Sequence, residues 1–323
     1  MAAWLESPDH FVVDLRNISA VDLAPLLDEE TVTWRAALDW DFESSAELVR
    51  RFVGMQALSG FALLEGERTI GYSYYIREEK KGLIGDLYVC ERDRTVDREN
   101  ALIEATLEAL WRSPGVRRVE AQLLLLESPL KRKVPFASRF KPYPRRFMEA
   151  PAGQVLALEA REPEGMAIAP WTEAQQDDSA RLVAAAYRGH IDSEINDQYR
   201  SPSGSRRFLS NIVQYPGCGT FFPQASFAAV ALNGAKGELC GISLASLVAR
   251  ETGHITQICV APSQRGKGVG YALLRRSMLA LAAHGCRTVG LTVTSKNISA
   301  IRLYEQMGFR DRRQFAAYVW DSW

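Results

Sequence analysis

The stretch Thr256-Gln-Ile-Cys-Val-Ala-Pro-Ser-Gln-Arg265-Gly-Lys-Gly-Val-Gly270-Tyr271 decides how this 323-residue chain folds. Ile258 and Val260 share one face of a strand, and Gly266, Gly268 and Gly270 follow it. Without a Cβ at those positions the chain can turn sharply and a ligand can approach its backbone. From Val269 onward Ala272, Leu273, Met278 and Leu281 recur at helical spacing, which gives the helix a buried stripe. Loop N–H groups running into a helix N-terminus form an anion site, and Arg265 and Lys267 add positive charge beside it. The run ends in Tyr271 where a dinucleotide loop needs glycine, and no acidic residue closes the next strand. Lys-Ser/Thr after the last glycine, needed for a nucleoside-triphosphate loop, is also missing. What remains is a pyrophosphate cradle without machinery for nicotinamide or magnesium-bound nucleotide.

Downstream, Thr288-Val-Gly-Leu-Thr-Val-Thr294 reads as a strand and Asn297-Ile-Ser-Ala-Ile-Arg-Leu-Tyr304-Glu-Gln-Met-Gly-Phe309 as a helix with its exit. Asn297 suits a helix cap, and Tyr304 lies two turns further on, on the same face. From the residues alone Tyr304 suits either an active-site phenol or packing beside Phe309.

Together these features resemble the acyl-coenzyme-A-binding core of the GCN5-related N-acetyltransferases (GNAT). The family's loop, Gln/Arg-x-x-Gly-x-Gly/Ala, is matched on a slightly wider spacing by Arg265-Gly266-Lys267-Gly268-Val269-Gly270, with Gln264 or Arg265 at its head. Its helix-start Asn is matched by Asn297, its Tyr by Tyr304 and its closing Gly-Phe by Gly308-Phe309. The resemblance implies acetyl-CoA held by Ile258, Cys259, Val260, Gln264, the loop from Arg265 to Gly270, Asn297 and Tyr304. It also implies two central parallel strands splayed apart along the pantetheine arm. A backbone N–H near Val260 would polarise the thioester carbonyl, and Tyr304 would give a proton to the leaving thiolate.

Composition fits a water-soluble two-domain protein: 39 basic and 39 acidic residues leave no net field to attract nucleic acid or anionic lipid. Five cysteines without metal or redox spacing, and no secretion signal or membrane-length apolar run, point to a cytoplasmic protein with no metal site. Cys240, Cys259 and Cys286 are expected as reduced core residues.

The order hairpin, strand, helix, strand occurs twice. Phe61–Leu64 with Thr69–Ile76 corresponds to Phe227–Leu232 with Glu238–Leu244, and Leu83–Val89 corresponds to His254–Val260. The helix Glu99–Trp111 matches Val269–His284, Val119 matches Val289, and Phe140 matches Phe309. Upstream, Asp14–Leu27 is expected as helical material broken by Pro25, and Ser45–Leu58 as a helix with Leu48, Phe52 and Met55 on its packed side. The expected fold is therefore α/β (α+β). It comprises two tandem acyl-CoA N-acyltransferase domains, each a mixed, mostly antiparallel central sheet flanked by helices. Residues 1–155 form a degenerate, non-catalytic copy and residues 156–323 the catalytic one.

Opposite the glycine loop the first copy has Arg94-Thr-Val-Asp-Arg-Glu-Asn100, where Asp97 and Glu99 would repel a pyrophosphate. Ser128 stands opposite Asn297, and Pro135 opposite Tyr304; Pro129 and Pro135 leave the corresponding helix short or broken. The basic runs Lys131–Lys133 and Lys141–Arg146 are expected at a solvated edge, and the scattered tryptophans, Trp4 and Trp323 among them, in cores or between domains.

The general base is less marked. No carboxylate occupies the usual position on the strand before the glycine loop. His254 has a suitable natural pKa, at the strand's start and facing solvent. Tyr187-Arg-Gly-His190-Ile-Asp192-Ser-Glu194 supplies a second set. There Glu194 or Asp192 could bind a cationic amine and His190 relay its proton through water, or the segment is an ordinary polar connection. The expected function is an acetyl-CoA-dependent N-acetyltransferase acting on a small primary amine by direct attack in a ternary complex, as a monomer or homodimer. The alternative is a non-catalytic acyl-CoA sensor or interaction protein.

Overall fold

A computed structural model describes residues 11–127, 129–215, 217–232 and 237–321, so Trp4, Ser128, Pro216 and Trp323 lie outside the described residues. The chain forms two compact units: one holds the residues up to Pro144 together with those from Phe315 onward, the other Arg145–Gln314.

The first unit contains β1 (Phe11–Asp14), α1 (Ala20–Leu38), α2 (Glu43–Gly54), β2 (Gly60–Glu65), β3 (Arg68–Glu78), β4 (Lys81–Val89), α3 (Val96–Arg112) and β5 (Arg118–Gln122). Strands β1 to β4 are antiparallel neighbours, and β4 then pairs parallel with β5 from Lys81↔Arg118 to Ile84↔Ala121. Thr95 caps α3 by accepting from the Arg98 N–H at 3.2 Å, and Leu102, Ile103, Leu107 and Leu110 form its buried stripe.

Two local expectations fail here. Helix α1 runs unbroken through Pro25. The carbonyl that a proline there leaves without its helical donor belongs to Val21, which is 80% exposed and so has water available. Helix α2 buries Ala46, Val49 and Val53 and leaves Leu48, Phe52 and Met55 exposed. Both triplets have helical spacing, and the smaller set packs because α2 lies close against α1.

Strand β6 (Phe140–Pro151) leads into the second unit. There follow β7 (Met166–Pro170), α4 (Gln176–Ala186), α5 (Asp192–Ile195), α6 (Pro202–Gln214), β8 (Thr220–Phe221), β9 (Phe227–Ala231), β10 (Glu238–Ala249) and β11 (Thr252–Val260). Helix α7 (Val269–His284), β12 (Thr288–Thr294), α8 (Ile298–Gln306) and β13 (Arg310–Asp321) complete the chain. Within this unit the sheet order is β6-β12-β11-β10-β9-β7, with β8 on β10. Strands β11 and β12 are parallel from Thr252↔Thr288 to Ile255↔Leu291, and their pairing stops there although both strands continue. The remaining halves therefore diverge toward the glycine loop.

The unit boundaries differ from the expected division at residue 155. Residues 145–151 of β6 pair antiparallel with β12, from Arg145↔Thr294 to Pro151↔Thr288. Residues 317–321 of β13 pair with β5 in the first unit, from Ala317↔Gln122 to Asp321↔Arg118. Apolar pattern explains both: Met148 and Ala150 enter the second core, and Ala316, Tyr318 and Trp320 the first. The first unit is thus closed by β13, from far along the chain, and the second by the strand that enters it.

Taken separately, the two units share local detail. An ideal Cβ on Gly82 would lie 2.7 Å from Leu110 Cδ1, and one on Gly253 2.7 Å from Leu281 Cδ1, so glycine lets strand and helix approach equally closely in both. The ladder slips between Tyr74 and Tyr75 in one unit and between Leu244 and Ala245 in the other. Ser73 meets Thr106 at 3.4 Å, and Ser243 meets Ser277 at 2.8 Å. Among the described residues no helix is long and apolar enough to cross a membrane.

Candidate cofactor and acceptor site

In the second unit β11 ends at Val260 and the loop lifts the chain into α7. Gly266 and Gly268 have φ of +77° and +80°, and an ideal Cβ on either meets nothing within 4 Å. Handedness therefore requires glycine at both, since other residues there cost about 1–2 kcal/mol. Gly268 is the N-cap of α7 and no side chain caps that end, so its first N–H groups remain for a ligand. The loop borders a cavity of about 580 Å³. Ile258, Cys259 and Val260 form one wall, Asn297, Ala300, Leu303 and Tyr304 another, and Tyr187 and His190 close it.

Most expected cofactor residues converge on this cavity: Ile258, Cys259, Val260, Gln264, Arg265, Gly266, Gly268, Val269, Gly270, Asn297 and Tyr304 all line it. Lys267 does not; it is exposed, and its Nζ donates to Gln264 Oε1 at 2.9 Å. Arg265 lines the cavity but also fastens the loop, its Nη2 donating to the Ala186 carbonyl at 2.6 Å. Asn297 caps α8: its Oδ1 accepts from Ala300 N at 3.3 Å and from Ser299 Oγ at 3.2 Å, and the residue also lines the cavity. Tyr304 lines the cavity, is 6% exposed and packs 6.0 Å from Phe309. Burial, then the Asp192 carboxylate, raise its phenol above the usual range, with Arg145 opposing. Cys259 also lines the cavity, but burial pushes its thiol up to about 12 and keeps it protonated.

The candidate bases separate. His254 is buried, not solvent-facing, and stacks on Phe147 with centroids 5.9 Å apart. It does not line the cavity, and burial, with Arg145 adding to it, lowers its pKa from 6.5 to about 4. The unfolded chain therefore binds more protons than the folded one between those values. The stability of neutral burial is complete above about pH 6.5 and falls by roughly 3 kcal/mol as the pH drops toward 4. His254→Phe should flatten that part of the acid limb in urea midpoints measured from pH 4 to 7. An unchanged slope would mean that other groups set it.

Glu194 is exposed and, like Asp192, does not line the cavity. His190 lines it, packed edge-on to Tyr187 at 5.4 Å, and its Nδ1 accepts from Asp192 N at 3.2 Å. The neighbouring Asp192 is half-buried, lies 3.6 Å from His190 Nδ1 and accepts at Oδ1 from Thr294 Oγ1 on β12. Gln257, buried on β11, donates to Tyr187 Oη at 3.0 Å, and Tyr187 stacks on Tyr199 at 4.4 Å. In sequence Asp192 stands only as an alternative to Glu194; its contact with residue 294 carries no local signal.

The expected solvated edge holds for Lys131, Lys133 and Lys141, which are exposed, but not for three arginines of the same runs. Arg145 and Arg146 are half-buried in β6, opposite Thr294 and Val293, and Arg145 Nη2 donates to Thr292 Oγ1 at 3.2 Å. In the first unit the Arg132 side chain is fully buried and pairs with Glu99 at 2.6 Å. Arg132 also donates to the Val96 carbonyl at 3.1 Å and to Asn100 Oδ1 at 2.7 Å. The first turn of α3 is thereby filled by the chain's own guanidinium, where the corresponding turn of α7 is open.

Comparison with known proteins follows this geometry. Residues 190–309 match the acetyltransferase (GNAT) family model. N-alpha-acetyltransferase 30 of Xenopus laevis is 32% identical over 100 residues, 30% of this chain and 36% of that protein. A mycothiol acetyltransferase of Kocuria rhizophila is 29% identical over 160 residues, 48% of this chain and 50% of that protein. The chain thus spans half or less of the length of these curated relatives. A solved GCN5-related N-acetyltransferase from Sphaerobacter thermophilus aligns over 98% of this chain and 96% of its own, with TM-score 0.67 and 19% identity. The chain has the fold of the GNAT acetyltransferases.

Proposed function

We propose that this protein is an acetyl-CoA-dependent N-acetyltransferase for a small primary amine, with its second unit as the catalytic copy and its first unit a degenerate one. The observation that carries this is the uncapped start of α7, behind two left-handed glycines, opening on the cavity that Asn297 and Tyr304 share. The family match to residues 190–309 lies over that cavity's main walls. The shared glycine contacts and ladder slips of the two units support descent from one repeat.

The residues present fit acetyl-CoA: N–H donors face open space for a pyrophosphate, and an apolar-walled channel follows for a flexible arm. When bound, acetyl-CoA supplies an acetyl group activated as a thioester. The loop from Gln264 to Gly270 holds the diphosphate by backbone N–H groups, and Asn297 Nδ2 and the free edge of β11 hold the arm. A backbone N–H near Val260 would be the donor that polarises the carbonyl. Asp192 would receive the amine as its ammonium, and His190 would relay a proton from it through water so that the neutral nitrogen can attack. Tyr304 stays protonated, because burial raises its phenol above 10 while an ordinary thiol titrates near about 8.5. Its work is therefore to donate a hydrogen bond to the departing sulfur. A protonated, buried Cys259 offers no thiolate for an acyl-enzyme route, which favours direct attack.

Calorimetric titration should give one acetyl-CoA per chain; two would overturn the degenerate reading of the first unit. Thiol release across an amine panel tests the activity itself. Tight cofactor binding with no release for any amine would replace the enzyme by a non-catalytic acyl-CoA sensor.

A further inference from the structure

We infer that Arg145 selects an acceptor amine that carries an anionic group, in the simplest case a carboxylate, near its amino nitrogen. The inference deepens the acetyl-transfer proposal and rests on it. Arg145 sits opposite Thr294 in the β6–β12 ladder and holds Thr292 Oγ1 at 3.2 Å. Leu291 and Val293 belong to the core, so Thr292 and Thr294 project from the other face of β12. On that face Thr294 Oγ1 donates to Asp192. A guanidinium and the carboxylate proposed to receive the amine thus flank one residue, at the end of β12 that diverges from β11.

Both charges act on the Tyr304 phenol. Beyond the effect of burial, Asp192 raises and Arg145 lowers the phenol pKa of Tyr304 and of Tyr199 alike. The floor beside Arg145 is dry: Phe147 is 1% and His254 4% exposed. A guanidinium in such surroundings takes a carboxylate through two parallel hydrogen bonds and discriminates strongly against a neutral amide. An ammonium on Asp192 and a carboxylate on Arg145 describe a zwitterionic acceptor of the amino-acid type.

The test compares amino acids with their carboxamides, by thiol release from acetyl-CoA and by calorimetric titration into CoA-loaded protein. Wild type should favour the acid at least tenfold in kcat/KM. Arg145→Met should bring that ratio near one, mainly through KM, and Arg145→Lys should retain part of it. The ratio is taken within one preparation, so a misfolded fraction cannot mimic the result. A ratio that survives Arg145→Met, or favours the carboxamide in wild type, overturns the inference. So does a ratio that collapses only in Arg188→Met, which alters the neighbouring cavity of about 380 Å³ shared with Arg181 and Arg200. No thiol release with any amine, but an Arg145-dependent preference in calorimetry, removes acetyl transfer and leaves the anion site standing. Turnover without the preference does the reverse, and absence of both removes both.

Discussion

Tyr304→Phe should lower kcat by about 10²–10³-fold, the usual loss when one preorganised hydrogen-bond donor to developing charge is removed. The KM and binding constant for acetyl-CoA should stay within a few-fold, because the ring remains beside Phe309 and only one hydroxyl is lost. Stability should also hold, since the substitution removes a polar atom from a residue that is 6% exposed. Initial rates of thiol release, with cofactor affinity measured calorimetrically on the same protein, check all three. A variant that keeps its rate would reduce Tyr304 to a packing residue. One that loses cofactor affinity in proportion would make it a binding residue and not a donor to the departing sulfur.

Arg132→Met should destabilise the first unit by about 3–5 kcal/mol, because it leaves the Glu99 carboxylate buried without its cation. For a unit of this size that is a fall in Tm on the order of 10 °C. Burial pushes the Glu99 carboxyl above its usual range even with Arg132 beside it, so desolvation outweighs pairing at this site. Replacing both residues with apolar ones, Glu99→Leu with Arg132→Met, should therefore recover most of the loss. Scanning calorimetry of the two single variants and the double variant decides the matter. Additive losses would show that the pair does not act as a unit. None of these variants should acquire a second cofactor equivalent, because Arg94–Asn100 still lacks the glycines of the other loop.

The parts of the site readable from sequence are those built from neighbours in the chain. Gly266 and Gly268 announce a left-handed loop, the stripe from Val269 announces α7, and Asn297 announces the cap of α8. Each is a local backbone or periodicity signal, and each appears where expected. What escaped is non-local or ambiguous in period. Arg145 reaches Thr292 from 147 residues away, and a basic run gives no hint of such a partner. Asp192 gains its place through Thr294, and His254 its altered basicity through Phe147 and Arg145, contacts that only the assembled sheet creates. Helix α2 carried two stripes of equal spacing, and only packing against α1 chose between them.

The closing of the first unit by β13 bears on how the protein is made. Until residues 317–321 have left the ribosome, β5 has no partner on its outer side and remains an open edge able to recruit other chains. Translation must therefore pass residue 321 before the first-synthesised unit can finish folding. Expression of the first half alone should yield a sticky, incomplete sheet, and a gene cut at the apparent repeat junction would separate both units from their final strands.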